Sequence, residues 1–298
     1  DTVAGMCRRI VDRVGAAGAC DFVWDVAAPL PLMVIADLLG FGEDAHDDLL
    51  RWSDDMLRAT SATAPPEVLE TAADAMLGFR ELQLRVIAQR RAKPRDDLIS
   101  TLCAAEIDGH RPDDESIVNE TLLLLIGGDE TTRHVISGGM LALLHHRDQL
   151  AALAADPGLL PVAVEELLRW VSPVKNMSRT VTTDVELRGQ RLREGDEVML
   201  FYPSANRDED VFAAPDTFDV RRDPNPHLAF GFGPHFCLGA SLARLELKVM
   251  FREVLTRLPD LELALGEALP LRPSNFVSGL EAMPVRFTPT PATATSTA

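Results

Sequence analysis

The chain has 298 residues, 46% of them hydrophobic and 25% charged, the balance of a soluble globular protein long enough to bury a large core. A net charge of −17 argues against partners such as nucleic acid or an anionic membrane surface. The four cysteines, Cys7, Cys20, Cys103 and Cys237, lie far apart with no C-x-x-C pair, so they form neither a zinc site nor a disulfide framework and fit a reducing cytosol.

In chain order, Thr2 to Val14 reads as a helix, with no basic and apolar leader ahead of it. Leu30 to Leu39 is apolar and stops at Gly40 and Gly42. Asp44 to Thr60 mixes acidic residues with an apolar stripe of Leu49, Leu50, Met56 and Leu57. After Pro65 and Pro66, a long amphipathic helix is expected over Glu67 to Lys93, ended by Pro94, and a shorter one over Asp96 to Ala105. Asp108-Gly109-His110 marks a turn. A very long helical pattern follows from Asp114 to His146, with Asp113 or Asp114 as its cap. The run inside it, Leu122 to Ile126, read as the longest apolar run of the chain, is far too short to span a bilayer.

From Val174 the texture changes to short β-type runs, Arg179 to Thr182, Val185 to Leu187 and Glu197 to Tyr202, punctuated by Gly and Pro. An irregular stretch, Pro203 to Pro226, leads to a glycine-rich loop, a helix over Leu238 to Leu258, and short strands around Phe276 and Val285 to Phe287. The expected architecture is mainly α with small β-sheets, in one domain over residues 1–287. A Thr/Ala/Pro tail, 288–298, lacks core-forming residues and is expected to be disordered.

Three constellations carry chemistry. Phe230-Gly231-Phe232-Gly233-Pro234-His235-Phe236-Cys237-Leu238-Gly239 places a lone cysteine in a loop just before a helix. The glycines allow a tight fold and a close approach to a flat ligand. The helix N-terminus supplies free N–H groups and a positive dipole end, which favour a thiolate, the form a haem iron takes as single axial ligand. The plainer alternative is a packed cysteine, for which so glycine-rich a loop is a poor setting. Gly127-Gly128-Asp129-Glu130-Thr131-Thr132 interrupts the long helix, at a cost of about 1 kcal/mol per glycine relative to alanine. Missing Cβ atoms let a flat cofactor approach, threonine bends the helix, and an acid beside a hydroxyl can relay protons. A kink with two solvated acids is the alternative. Glu166-Leu167-Leu168-Arg169 puts an acid and an arginine on one helix face, as a surface pair or, given the apolar flanks, a buried one. His145 and His146, adjacent on a helix, do not face each other and make no metal pair.

The spacing Phe-x-x-Gly-x-His-x-Cys-x-Gly resembles the haem-binding loop of the cytochrome P450 family. The resemblance implies haem b, dioxygen activation, Cys237 as proximal iron ligand, His235 as a propionate partner and Phe230 as a shield of the sulfur, with Gly231 and Gly239 beside the cofactor. Gly127 to Thr132 resembles the family's oxygen-activating segment, which implies Glu130 as the acid, Thr131 as the alcohol and Gly128 over the haem. Glu166 and Arg169 match the family's Glu-x-x-Arg motif, a structural tie with Arg222 as third member, and Arg179 matches a propionate-binding position.

Ile126 to Gly139, Leu168 to Thr180 and Leu271 to Pro284 are similar to actinobacterial members that oxidise the sterol side-chain terminus. That likeness implies hydroxylation of the terminal side-chain carbon of cholesterol or cholest-4-en-3-one, with further oxidation to the acid. Val174, Met177, Phe276 and Val277 would line the substrate channel. It also implies electrons from a ferredoxin served by an NAD(P)H-dependent ferredoxin reductase, in the cytoplasm. Two other readings stay open: a peroxide-using haem-thiolate enzyme, disfavoured by the acid–alcohol pair, and an inactive haem- or lipid-binding remnant. The last arises because family members normally begin with a β-rich region and first helices, ahead of what Asp1 enters, and the chain is expected to lack them.

Overall fold

The computed structural model describes residues 2–61, 63–264 and 268–291. Helix α1 (Thr2–Gly15) leads into a short strand, β1 (Ala19–Asp21). A π-helical segment, Phe22–Ala27, and α2 (Pro29–Leu39) follow. Together Phe22–Leu39 is apolar and long enough to cross a membrane by length and composition, longer than the run noted at Leu122 to Ile126. It is instead two helices of the core, with Phe22, Val26, Leu30, Leu32 and Leu39 almost fully buried. Gly40 ends α2 in the left-handed conformation, as the sequence leads one to expect.

Next come α3 (His46–Arg58), α4 (Pro66–Ala92), α5 (Leu98–Ala104) and α6 (Asp114–His145). Asp97 and Asp113 cap α5 and α6, each accepting a hydrogen bond from a backbone N–H three residues on. The glycine pair does not interrupt α6, which runs unbroken through Gly127 and Gly128. Helices α7 (Arg147–Ala155) and α8 (Leu160–Val171) complete the helical part. Helix α6 is the central strut: α2, α3, α4, α5, α7 and α8 all pack on it.

The β material exceeds expectation in number and follows it in place at Val185 to Leu187, Glu197 to Tyr202 and around Val285, while the run expected over Arg179 to Thr182 lies earlier, at Asn176–Thr180. Strands β2 (Asn176–Thr180) and β5 (Glu197–Phe201) pair antiparallel, and β3 (Val185–Leu187) makes a hairpin with β4 (Gln190–Leu192). The short helix α9 (Tyr202–Ala205) follows β5. After the irregular stretch and the cysteine loop come α10 (Ala240–Arg257), β6 (Glu262–Leu263) and β7 (Pro284–Arg286). Strand β7 lies between β1 and β6, with Cys20 opposite Val285, so the two ends of the chain share one sheet. Phe276 is not in a strand; its neighbour Val277 makes a single bridge with Val174.

Part of the tail expected to be disordered is tied down. Thr288 N–H donates to Asp260, and Thr290 N–H donates to the Gly15 carbonyl at 2.9 Å. Residues 292–298 lie outside the described residues. Two buried apolar clusters form the core. One joins α1, α8, α10 and the second half of α6; the other joins α4, α5 and the first half of α6, with α2 between them.

Candidate active site

The cysteine loop folds as its glycines dictate. Gly231 and Gly233 adopt φ of 71° and 72°, the left-handed region that an L side chain resists. Cys237 N–H donates to the Phe230 carbonyl at 2.9 Å, which closes the loop. Cys237 is exposed, unlike Cys7 and Cys103, and so are its neighbours: Leu238 is 89% and Phe232 82% accessible. Burial pushes the thiols of Cys7 and Cys20 up to about 12. At Cys237 desolvation also raises the thiol above its ordinary value, while the Gly239 N–H and Arg244 pull it back. The N–H at the helix start thus favours the thiolate, as expected, and desolvation opposes it. Coordination to a metal ion would ionise the sulfur.

A strut that sequence reasoning missed supports the loop. Glu165 of α8 takes a two-point ion pair from Arg244 of α10 at 2.7 and 2.8 Å and meets His227 at 3.0 Å. Desolvation opposes the Glu165 charge, but Arg244 and His227 bring its carboxyl down to about 2. Arg244 lies over the Phe230 ring, 4.6 Å from its centroid, and Phe230 packs against Phe236. Phe230 is thus clamped directly beneath the loop that presents the sulfur.

On α6, one face is unfilled. A Cβ added at Gly127 would have no atom within 4 Å, whereas one at Gly128 would meet Ile35 of α2 at 2.7 Å. Gly128, expected over the cofactor, instead lets α2 pack closely, and Gly127 occupies the open face. Thr131, one turn on, donates its hydroxyl to the Gly127 carbonyl at 2.9 Å, and Leu123, one turn back, is 67% exposed.

Glu130 points elsewhere. It is almost fully buried, and its Oε1 lies 3.0 Å from Arg133 and 3.2 Å from His134, with Arg272 in closer contact. No hydrogen bond joins it to Thr131 among the described residues. Burial opposes the Glu130 charge, but His134, Arg133 and Arg272 outweigh it and hold the carboxyl below the usual range. Arg133 and His134, three and four residues on, were legible as same-face neighbours; Arg272, far away in the chain, was not.

The Glu166–Arg169–Arg222 tie is present as expected. Glu166 and Arg169 are completely buried and paired at 2.7 Å, and Arg222 reaches Glu166 at 3.1 Å. Arg169 also donates to the carbonyls of Asn206 and Pro215, and Arg222 to those of Ala213 and Thr217. Helix α8 is thereby fastened to the irregular stretch ahead of the cysteine loop. Arg179 in β2 and exposed His235 have no carboxylate partner among the described residues. The four residues expected to line the substrate channel cluster in part. Val174 bridges Val277, the Lys175 N–H donates to the Phe276 carbonyl at 2.7 Å, and Met177 is exposed on β2.

The arrangement fits a haem. An exposed cysteine in a glycine loop, bare apolar residues beside it, a side-chain-free helix face and two uncommitted basic groups suit a flat apolar group with an anionic edge. The cytochrome P450 family profile matches residues 158–272. A steroid C26-monooxygenase of Mycobacterium tuberculosis (strain CDC 1551 / Oshkosh) is 54% identical over 291 residues, 97% of this chain and 78% of its own length. The steroid C26-monooxygenase of Mycolicibacterium smegmatis (strain ATCC 700084 / mc(2)155) is 53% identical, over 97% of this chain and 72% of its own. The solved structure of CYP109E1 from Bacillus megaterium in complex with testosterone superposes with a TM-score of 0.88 at 35% identity, over 96% of this chain and 78% of its own. The chain belongs to the cytochrome P450 family, the haem b monooxygenases.

Proposed function

We propose that this monooxygenase hydroxylates a sterol-like substrate at the end of its side chain, with cholesterol or cholest-4-en-3-one as the leading candidates. The observation that supports the substrate class is the 54% identity to a steroid C26-monooxygenase along nearly the whole chain. The bound haem, held through Cys237, supplies reductive activation of dioxygen.

The protein's own residues do the rest. Arg179 and His235 would meet the haem propionates, and Phe230, pinned by Arg244, screens the sulfur from water. Gly127 leaves an open helix face that would take the flat group, while Thr131, its proton committed to the Gly127 carbonyl, keeps its oxygen lone pairs free to accept a hydrogen bond there. Glu130 would be the acid of the relay: its buried Oε2 has no hydrogen-bond partner among the described residues and is the atom free to carry a proton towards Thr131. Val174, Met177, Phe276 and Val277 contact the apolar substrate. Residues 1–287 act as one domain in the cytoplasm, and electrons arrive from a ferredoxin with its NAD(P)H-dependent reductase.

The test is optical. Cholest-4-en-3-one added to the haem-loaded protein should displace iron-bound water and shift the Soret band to shorter wavelength at low micromolar concentration. A fatty acid or macrolide that shifts the band at lower concentration than the sterol would overturn the substrate assignment.

A further inference from the structure

Glu130 is one member of a larger buried ion cluster. The two guanidiniums that face its Oε1, Arg133 and Arg272, are held from the other side by Oδ1 of Asp54, a residue of α3. Arg133 lies 3.4 Å from that oxygen and Arg272 lies closer. Oδ2 of Asp54 accepts from Arg58 at 2.7 Å; Arg58 reaches Glu281 at 2.8 Å, and Glu281 meets Arg272 at 3.0 Å. Three carboxylates, Asp54, Glu130 and Glu281, therefore face three guanidiniums, Arg58, Arg133 and Arg272.

Of the remaining neighbours, Asp129 adds a further carboxylate that acts on Arg133, Glu130 and Asp54 and is largely ionised near pH 7. Burial holds the His134 imidazole below its ordinary value, so it stays neutral near pH 7. Asp129 turns to Ser53 Oγ at 2.6 Å, and burial pushes its carboxyl up to about 6. Glu246 of α10, the next acid beyond Asp129, is pushed by burial and then by Asp129 up to about 8. Trp24 contributes only the face of its ring to Arg133 and an N–H to the Glu281 carbonyl.

Asp54 and Glu130 thus compete for the same two cations. A carboxylate gripped by two guanidiniums is a poor proton acceptor; a second carboxylate on the far side of those cations weakens the grip. The cluster meets solvent chiefly at Arg58 and Glu281, and less at Asp54, which lines an open cavity of about 310 Å³ together with Trp24, Asp47, Leu50, Arg51 and Asp55. We propose that Asp54 is a positioning residue for Glu130: by sharing Arg133 and Arg272 from α3, it sets how readily Glu130 takes up a proton and ties that readiness to the position of α3. This rests on the proton-delivery role given to Glu130 above.

The experiment uses the haem-loaded protein and three variants, Asp54→Asn, Asp54→Glu and Arg58→Gln. The Glu130 carboxyl is followed by infrared difference spectroscopy across pH, its band identified by loss in Glu130→Gln. In Asp54→Asn three guanidiniums face two carboxylates, so the Glu130 midpoint should move to lower pH. Product formed per NAD(P)H should fall by about tenfold, less than the full worth of an acid–base group. Asp54→Glu should restore both. Arg58→Gln, at the most exposed member of the cluster, removes one cation and should move the midpoint to higher pH; it keeps the test decisive if Asp54→Asn does not fold. An unmoved midpoint in folded Asp54→Asn, or in Arg58→Gln if the former does not fold, overturns the proposal. Full coupling in Glu130→Gln would instead defeat the catalytic role of Glu130, while the midpoints would still report on Asp54.

Discussion

Replacing Glu166 by Gln removes one charge and keeps the shape of the side chain. The native carboxylate accepts five hydrogen bonds. Oε1 takes Arg169 Nη2 at 2.8 Å and the Asp219 N–H at 2.9 Å. Oε2 takes Arg169 Nε at 2.7 Å, Arg222 Nε at 3.1 Å and Asn225 Nδ2 at 3.1 Å. A glutamine offers one acceptor oxygen, points N–H donors at other donors, and leaves the Arg169 charge in a completely buried site without its counterion. Breaking such a pair by removing one partner costs about 3–5 kcal/mol, a large share of a typical stability of about 5–15 kcal/mol. With a urea dependence of about 3 kcal/mol per M, the midpoint of unfolding should fall by roughly 1–2 M. Circular dichroism during urea titration reads this directly. The double variant Glu166→Gln/Arg169→Met should lose less than the sum of the two single losses, because the stranded charge is gone. The irregular stretch that the tie anchors leads into the cysteine loop, so haem should be lost more readily as well. In the protein that stays folded, the sterol-induced Soret shift should be unchanged, because no member of the tie touches substrate. A loss below about 1 kcal/mol, or strictly additive variants, would refute the account of the buried charge.

Cys237→Ala should abolish the thiolate-type Soret band of the reduced carbon monoxide complex, whereas Cys7→Ala, Cys20→Ala and Cys103→Ala should leave it in place; an unaltered band in the first would end the assignment of the iron ligand. Thr131→Ala should retain haem and sterol binding but divert NAD(P)H electrons to hydrogen peroxide, measured as product and peroxide per NAD(P)H, and full coupling would remove Thr131 from proton delivery. Glu246, raised to about 8 by burial and by Asp129, has the sign opposite to a paired carboxylate. Its neutral form is favoured in the fold, so it costs nothing below an unfolded value of about 4.3, and the penalty grows as pH rises towards about 8. Glu246→Gln should therefore raise stability by about 2–4 kcal/mol at pH 7 and make little difference at pH 4, checked by denaturant titration at both values.

What the sequence determines here is local. Gly40, Pro94 and Asp113 mark helix ends through backbone rules that act within a few residues, and the structure follows them closely. The cysteine loop is equally legible, because two left-handed positions require glycine and a free cysteine follows them. Glu166 with Arg169, and Glu130 with Arg133 and His134, are readable for the same reason: three and four residues along a helix is one face.

Tertiary structure decides whatever depends on which surfaces meet. Gly127 and Gly128 are indistinguishable in sequence, yet about 100° of helical rotation separates them, and the packing of Ile35 from α2 fixes which one stays open. Strands β1 and β6 have three and two residues, too few for any alternation to register, and exist because β7 is brought between them. At Cys237 the Gly239 N–H and Arg244 favour the thiolate, as the helix start implies, while the desolvation that opposes them depends on the surrounding fold. The surroundings of Glu130 show the same limit: Asp54 and Arg272 come from distant segments. Burial in a shared low-dielectric pocket, not proximity along the chain, makes their charges count.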